Sequence, residues 1–463
     1  MFIIKASYLI LLCFPAILAG RPVSAQVIGE DGTTSTVLQH YLRIARQNNL
    51  ELINRQLDTE HARAGLRRSR ALFYPDLELN ATYDLSEGGR TIDIPVGDLL
   101  NPVNRSLNRV TGQNRLPTDL QNVSEPILND QFHETKLRIT QPLFNTDLYY
   151  NYRAQKELLT AREAQKQAVV NELTREVKVA YYNYLKSEEL LKIRDSTMVL
   201  LQELLQFNRN LVKHKKATRD AVSGARYEIS KLESKRAETV TMRNNARSLF
   251  NFLLNRPLDT VIEKDTTLQT PPPLAELEVL REEALRQRED LHQLEATIGA
   301  QQNQLKLQKS DVWPELFLVG DVGYQGFGYE FDRDQQFWFL RFGLRWDLFR
   351  GFQNRAEIDQ SRIRVKKLEN RFENLKNQIR LKVINTYENY RSAQADYRAA
   401  ISAEKHAEDR YRIIRNKYRQ NRVLLIEYLD ARTSYTSARL EKVIARYTLL
   451  ARYAELEQAV ARY

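Results

Sequence analysis

Cysteine, glycine and proline are all scarce in this sequence. Its 463 residues include one cysteine, Cys13, with 16 glycines, 13 prolines and 6 histidines. A chain with one cysteine cannot form an internal disulfide or a multi-cysteine metal site. The histidines are scattered without the spacing of metal ligands, and no catalytic constellation is present. The sequence therefore predicts neither an enzyme nor a protein that needs a cofactor.

The N-terminus has the pattern of an export signal. Lys5 precedes an apolar run from Tyr8 to Ala19, and Val23–Ala25 provides small residues for a cleavage site. This pattern predicts a secretory signal peptide over residues 1–25. A membrane anchor is the alternative, although the run is short for a bilayer span. Export argues against the nucleic-acid partner that a formal net charge of +11 would otherwise permit.

Two long tracts of the chain contain no helix breakers. Residues 143–256 and 315–463 have no proline, and residues 352–463 have no glycine either. Apolar residues in both tracts follow heptad-like spacing, which predicts long helices with a buried face. The positions with this spacing are Leu173, Val177, Ala180 and Tyr184 in the first tract, and Leu368, Phe372, Leu375 and Ile379 in the second.

The two halves of the chain resemble each other. Tyr181–Tyr184 matches Tyr387–Tyr390, and Ala225–Arg226 matches Ala431–Arg432 at the same separation in sequence. Each half is predicted to contain a helix, two strands and a long helical hairpin. The signal peptide is thus followed by a first repeat, a linker and a second repeat, over residues 26–255, 256–273 and 274–463.

Four segments alternate apolar and polar residues with the period of a β-strand. They cover residues 75–85, 134–144, 314–324 and 337–349. In the first segment, Leu77 and Leu79 alternate with Asp76 and Glu78. Residues 86–133 are rich in Asn, Gly and Pro and are predicted to form a polar loop.

The strands have the length and the two faces of membrane strands. About ten residues cross an outer membrane when a strand is tilted, and unpaired sheet edges are costly in hydrocarbon. Four strands cannot close a barrel, whereas two copies supply eight strands and three copies twelve. Charges on one face favour a wet lumen and three copies, with Leu79 and Leu344 facing lipid. The predicted lumen residues are Asp76, Glu78, Arg341 and Arg345. A soluble, half-buried sheet is the alternative.

Four motifs carry a resemblance to a known family. Gln141–Phe144 and Trp346–Gly351 lead from strand to helix, Ala284–Leu291 precedes the third strand, and Tyr418–Ala431 begins the last helix. In order and spacing they resemble the TolC-type outer-membrane efflux proteins. The resemblance covers about residues 36–463 and implies a mainly α fold with a transmembrane β-barrel part. It implies a homotrimeric channel-tunnel with four strands and long periplasmic helical hairpins per chain.

The resemblance also implies a function and partners. Such a channel is a passive exit duct in the cell outer membrane, surrounded by outer-membrane lipid. It receives substrates from an inner-membrane RND or ABC transporter through a periplasmic adaptor (membrane fusion) protein, in a tripartite efflux or type I secretion system. The alternatives are a periplasmic adaptor and a coiled-coil scaffold of an export complex, neither of which needs four strands of membrane length.

Two sets of residues at the hairpin ends are expected to act in that channel. Glu427 and Asp430 share a helix face without a Lys or Arg one turn away, which predicts a ring of carboxylates at a pore constriction. The alternative is a salt bridge to another helix, for example to Arg219 or Arg226. The resemblance implies the periplasmic tip and adaptor contact at Tyr418, Asn421, Arg422, Val423, Lys215, Lys216, Ala217 and Asp220.

Overall fold

The computed structural model describes most of the chain after its N-terminal segment. The described residues are 35–128, 130–265, 271, 274–420 and 422–462. The predicted signal peptide, part of the predicted linker and Asn421 lie outside these ranges.

Helices make up most of the described residues, as expected for a mainly α fold. Those of the first half are α1 (Thr36–Asn48), α2 (Leu50–Ala71), α3 (Val96–Thr111), α4 (Thr146–Lys213) and α5 (Arg219–Leu253). Those of the second half are α6 (Leu277–Gln287), α7 (Glu289–Ser310), α8 (Gln353–Arg419) and α9 (Leu425–Val460). Within the described residues, none of these helices has an apolar stretch that could carry it across a bilayer.

The two longest helices each start a hairpin. Helices α4 and α8 contain 68 and 67 residues, so each extends about 100 Å at about 1.5 Å per residue. Asn145 begins α4 by accepting the backbone N–H of Leu148 at 3.0 Å. α5 packs back along α4, and α9 packs back along α8. α4 also contacts α2, α7 and α9, which joins the two halves of the chain.

The heptad positions of the first tract form the centre of this packing. Leu173, Val177, Ala180 and Tyr184 are all buried, and the Tyr181 hydroxyl donates to the carbonyl oxygen of Glu263 at 3.0 Å. In the second tract Ile379 is buried, while Leu368, Phe372 and Leu375 are half-buried. The apolar side of α8 is therefore only partly covered within a single chain.

Strands form one four-stranded sheet and one short pair. The strands are β1 (Asp76–Asp84), β2 (Thr91–Ile94), β3 (Val123–Pro126), β4 (Phe132–Phe144), β5 (Glu315–Phe327) and β6 (Gln336–Arg345). The large sheet is antiparallel in the order β1-β4-β5-β6, and β2 pairs with β3. Its strands coincide closely with the four segments of alternating sequence.

The fourth strand ends earlier than its sequence pattern predicts. Residues 346–349 continue the alternation but leave the sheet after Arg345. The indole N–H of Trp346 donates to the carbonyl oxygen of Val312 at 3.0 Å, which turns the chain toward the helices. Gly351 and Phe352 then adopt positive φ angles of 59° and 64° before α8 begins. This sharp turn replaces the last part of the predicted strand.

The predicted polar loop over residues 86–133 is wrong in its inner part. The segment folds into the β2–β3 pair and helix α3, and its last two residues already belong to β4. Asparagine side chains hold the returning chain against α3: Asn101 and Asn108 each exchange two hydrogen bonds with the backbone of Leu120 and Leu116. The Asn-rich composition that suggested a loop thus supports a helix packed against an extended segment.

Candidate functional site

One face of the four-stranded sheet is apolar from edge to edge. The register aligns Leu79, Leu137, Val322 and Trp338 in one row across the four strands. Leu79 at one edge is 72% exposed and Trp338 at the other is 78% exposed. A row of large apolar side chains left uncovered by its own chain marks a contact surface for lipid or protein.

The opposite face is charged and internally paired. Arg138 donates two hydrogen bonds of 2.8 Å to Asp321 on the next strand, and Glu78 lies opposite Arg138. The register places all four predicted lumen residues on this same face. Asp321 was not among the predicted lumen residues, although the alternation of β5 assigns it to the charged side. Charged side chains are costly to transfer from water into hydrocarbon, so this face of the sheet is suited to water.

Aromatic side chains are concentrated near both ends of the sheet. Trp313, Trp346 and Phe349 lie near the end that leads into the helices, and Tyr83 and Tyr329 lie at the other end. All five are exposed in the single chain. Aromatic girdles that flank an apolar band are typical of outer-membrane strands, because these rings prefer the membrane–water interface.

The sheet is open in the described part of the chain. Strands β1 and β6 each pair on one side, and the backbone groups of their outer sides have no strand partner. Such edges pair readily with further strands.

The other candidate site is the hairpin tip, formed by the two turns between α4 and α5 and between α8 and α9. Tyr418 is buried there: its ring stacks on Tyr428 with centroids 4.9 Å apart, and its hydroxyl donates to Asn208 Oδ1 at 2.8 Å. Burial raises the pKa of Tyr418, so the phenol keeps its proton for this bond. Tyr418 therefore joins the two hairpins, which corrects its expected place on the contact surface.

The other predicted contact residues border the two turns. Lys215, Lys216, Asp220 and Arg422 are exposed, and Ala217 and Val423 are half-buried. The exposed charges at the two turns are therefore mainly basic. Lys215 has a positive φ of 54°, which allows the tight reversal between α4 and α5.

The two predicted constriction carboxylates are both exposed but have different surroundings. Glu427 accepts the backbone N–H of Leu424 at 3.3 Å and so caps its own helix. Asp430 forms a salt bridge of 2.7 Å with Arg410 on α8. A cross-helix partner therefore exists for Asp430, but it is neither Arg219 nor Arg226. Each tip thus carries one carboxylate with a cationic partner and one that caps a helix.

The second half of the chain is similar to a known protein family. Residues 280–462 match the model of a family described as outer membrane efflux protein. This part of the chain is similar to that family. The match includes β5, β6 and the α8–α9 hairpin, and it confirms the resemblance predicted from the sequence. The family is one of transport channels, and it supports an outer-membrane location with the helices in the periplasm. No protein of curated function matches the sequence significantly.

Solved outer-membrane proteins share the fold of nearly the whole chain. The Campylobacter jejuni CmeC outer membrane channel has a TM-score of 0.73 at 13% identity, over 92% of this chain and 86% of that one. The open state of the Neisseria gonorrhoeae MtrE channel has a TM-score of 0.73 at 18% identity, over 92% and 88%. The outer membrane protein VceC of Vibrio cholerae has a TM-score of 0.71 at 15% identity, over 91% and 95%.

Two salt bridges near the hairpin tip, one buried and one exposed, give a matched test of its stability. Arg432 is buried and pairs with Glu228 of α5 at 2.7 Å, whereas Arg410 pairs with Asp430 at the same distance in solvent. Removing one partner of a buried pair costs about 3–5 kcal/mol, and an exposed pair contributes only about 0–1 kcal/mol. We expect Arg432→Ala to accelerate amide hydrogen exchange around residues 425–435 strongly, and Arg410→Ala to leave it nearly unchanged. Equal exchange in both variants would contradict this assignment.

Proposed function

We propose that the chain is the outer-membrane channel of a tripartite efflux or type I secretion system, a passive duct made by three copies. The observation that carries the proposal is the open four-stranded sheet, with one exposed apolar face and one charged face. Three sheets joined edge to edge would close a twelve-stranded barrel, satisfy every backbone edge and place the apolar faces in lipid. The internal repeat supports it, since two strands and one hairpin come from each half.

The charged face of the sheet would then line a water-filled lumen. Arg138 and Asp321 would add a neutral pair to the predicted lumen residues. The six long helices of three chains would continue the duct into the periplasm for about 100 Å. The half-buried apolar positions of α8 support contact with a neighbouring copy there.

The hairpin tip would provide the entrance and the docking surface. Three copies of Glu427 and Asp430 would form the predicted ring of carboxylates, and exposed tip residues such as Lys216 and Arg422 would meet a periplasmic adaptor. An inner-membrane RND or ABC transporter would deliver substrate through that adaptor. This proposal assigns the chain no chemical step.

The mass of the assembled protein tests the proposal directly. We expect detergent-extracted protein to have the mass of a trimer, about 160 kDa. Since the chain mass of 54.2 kDa includes the predicted signal peptide, the trimer of cleaved chains should be slightly lighter. Native mass spectrometry and circular dichroism on the same sample check this. A stable monomer that keeps its full β content would contradict the closed barrel.

Membrane fractionation separates the channel from the two alternative classes. A periplasmic adaptor without strands of membrane length or a coiled-coil scaffold would leave the membrane in a high-salt wash, because only polar contacts would hold it. An integral channel would stay in the outer-membrane fraction and need detergent for release. The exposed apolar row of the sheet favours the second result.

A further inference from the structure

Helix α3 has an exposed apolar stripe that no part of the described chain covers. The stripe consists of the exposed residues Leu99, Leu100, Val103, Leu107 and Val110, with the half-buried Val96 at its N-terminal end. Leu99 is 64% exposed, and Val110 is 84% exposed. The opposite side of α3 is occupied, because Asn101, Asn104 and Asn108 bind the returning chain there. The helix is therefore held with its stripe facing outward.

The position of α3 in the fold is set by the sheet. Its segment leaves the end of β1 and returns at the start of β4, which is the end of the sheet away from the long helices. β1 is an edge strand. In the proposed trimer, each α3 would therefore start beside a seam between two copies, and the three segments would surround the outer mouth of one channel.

The stripe has the pattern of a helix–helix seam. Val96, Val103 and Val110 are seven residues apart, and Leu100 and Leu107 repeat with the same period. β-Branched residues at one heptad position with Leu beside them are typical of helices that associate with one another. At about 100° per residue, the six side chains cover a band of only about 100–120°, narrower than the broad apolar face of a lipid-bound helix.

The composition of the segment that contains α3 argues against lipid as the partner of the stripe. Residues 86–131 contain four arginines but no Phe, Tyr or Trp, although helices at a membrane interface usually carry aromatic anchors beside their basic residues. The adjoining sheet has exposed aromatics at both ends, so their absence from this segment is local.

We propose that the α3 stripes of neighbouring copies pack against one another and form a helical cap over the outer mouth of the channel. The proposal rests on the trimer proposed above. Its partner is a second copy of this chain, and each stripe meets the stripes of the other two around the three-fold axis. The left-handed Gly112, with φ 67°, ends α3 and returns the chain on the asparagine side, which leaves the stripe free for the partner helices.

Disulfide trapping tests the cap, because the chain has only Cys13 and a new cysteine is easily followed. In the purified trimer, we expect Val103→Cys to give covalent dimers in most of the protein after mild oxidation. A disulfide needs Cα atoms within about 7 Å, which equivalent stripe positions satisfy only in direct contact. The matched control is Arg105→Cys, which is also exposed on α3 but lies on its other side; it should stay monomeric on denaturing gels.

The outcomes distinguish this inference from the proposed function. Trimers by native mass without cross-linking at Val103→Cys, or with equal cross-linking at Arg105→Cys, would overturn the cap and leave the channel intact. A bimane label on Val103→Cys in liposomes adds a second measurement: emission that is shifted to the blue and is not quenched by nitroxide-labelled lipid supports helix contact. Quenching by that lipid indicates contact with lipid and overturns the proposal. Loss of the trimer in unmodified protein would overturn the proposed function itself.

Discussion

A Leu340→Arg variant is expected to be exported but to yield almost no trimer in the outer membrane. Leu340 lies in the middle of β6 on the apolar face, opposite Gly320, and is 51% exposed. An arginine on the lipid face near the bilayer midplane costs about 2–4 kcal/mol, and three copies incur that cost together. Quantitative blotting of outer-membrane fractions after native electrophoresis measures the loss.

The neighbouring residue supplies the control for this experiment. Arg341 is also exposed in β6 but points to the charged face. Arg341→Leu should assemble at close to normal yield and change conductance more than stability, since a lumen position tolerates changes in polarity. If Arg341→Leu abolished assembly while Leu340→Arg assembled normally, the two faces would have been assigned the wrong way round.

The Glu427→Gln and Asp430→Asn double variant is expected to lower cation selectivity at the periplasmic entrance. Glutamine can still accept the N–H of Leu424, so the cap of α9 survives while its charge is lost. We expect the cation-to-anion permeability ratio to fall by about threefold or more, which corresponds to roughly 0.7 kcal/mol. Block by divalent cations from the periplasmic side should weaken as well. Planar-bilayer recordings measure both effects.

The two single variants show which of the two carboxylates sets the cation selectivity. Asp430 is paired with Arg410 at 2.7 Å, so its charge is already partly offset. Glu427→Gln alone should therefore account for most of the change. Glu388→Gln, which removes an exposed carboxylate from the middle of α8, should leave selectivity unchanged. Normal selectivity and block in an intact double-variant trimer would return both residues to a structural role.

The strands of the large sheet could be predicted because their alternation is visible in sequence. The row Leu79, Leu137, Val322 and Trp338 follows directly from the period of two. The end of β6 could not be predicted, because the alternation continues to Phe349 while the backbone turns at Trp346. That turn depends on a bond to Val312, 34 residues earlier in the chain.

Helix α3 was hidden by its composition. Pro102 and several asparagines suggest a loop when residues are counted, yet the apolar positions follow a heptad that could have indicated a helix. The asparagines make sense only with their partners, the backbone groups of Leu116 and Leu120. Such partners are set by tertiary packing, which a pattern within one helix does not contain.

The partners of the tip residues were out of reach for a similar reason. Asp430 has no basic residue one helical turn away, and its partner Arg410 lies on the other arm of the hairpin. Tyr418 was expected at the surface, but its bond to Asn208 crosses from the second hairpin to the first. Spacing along a helix identifies neighbours on that helix, whereas the meeting of two hairpins depends on the whole fold.

The open edges of β1 and β6 have a consequence for the order of events in biogenesis. A chain that exposes unpaired N–H and C=O groups on both edges cannot enter hydrocarbon alone, because each unsatisfied group costs several kcal/mol there. For the proposed trimer, association must therefore precede or accompany insertion. The rate of assembly should then rise more steeply than linearly with the chain concentration in the periplasm, so modest changes in expression would change the number of assembled trimers disproportionately.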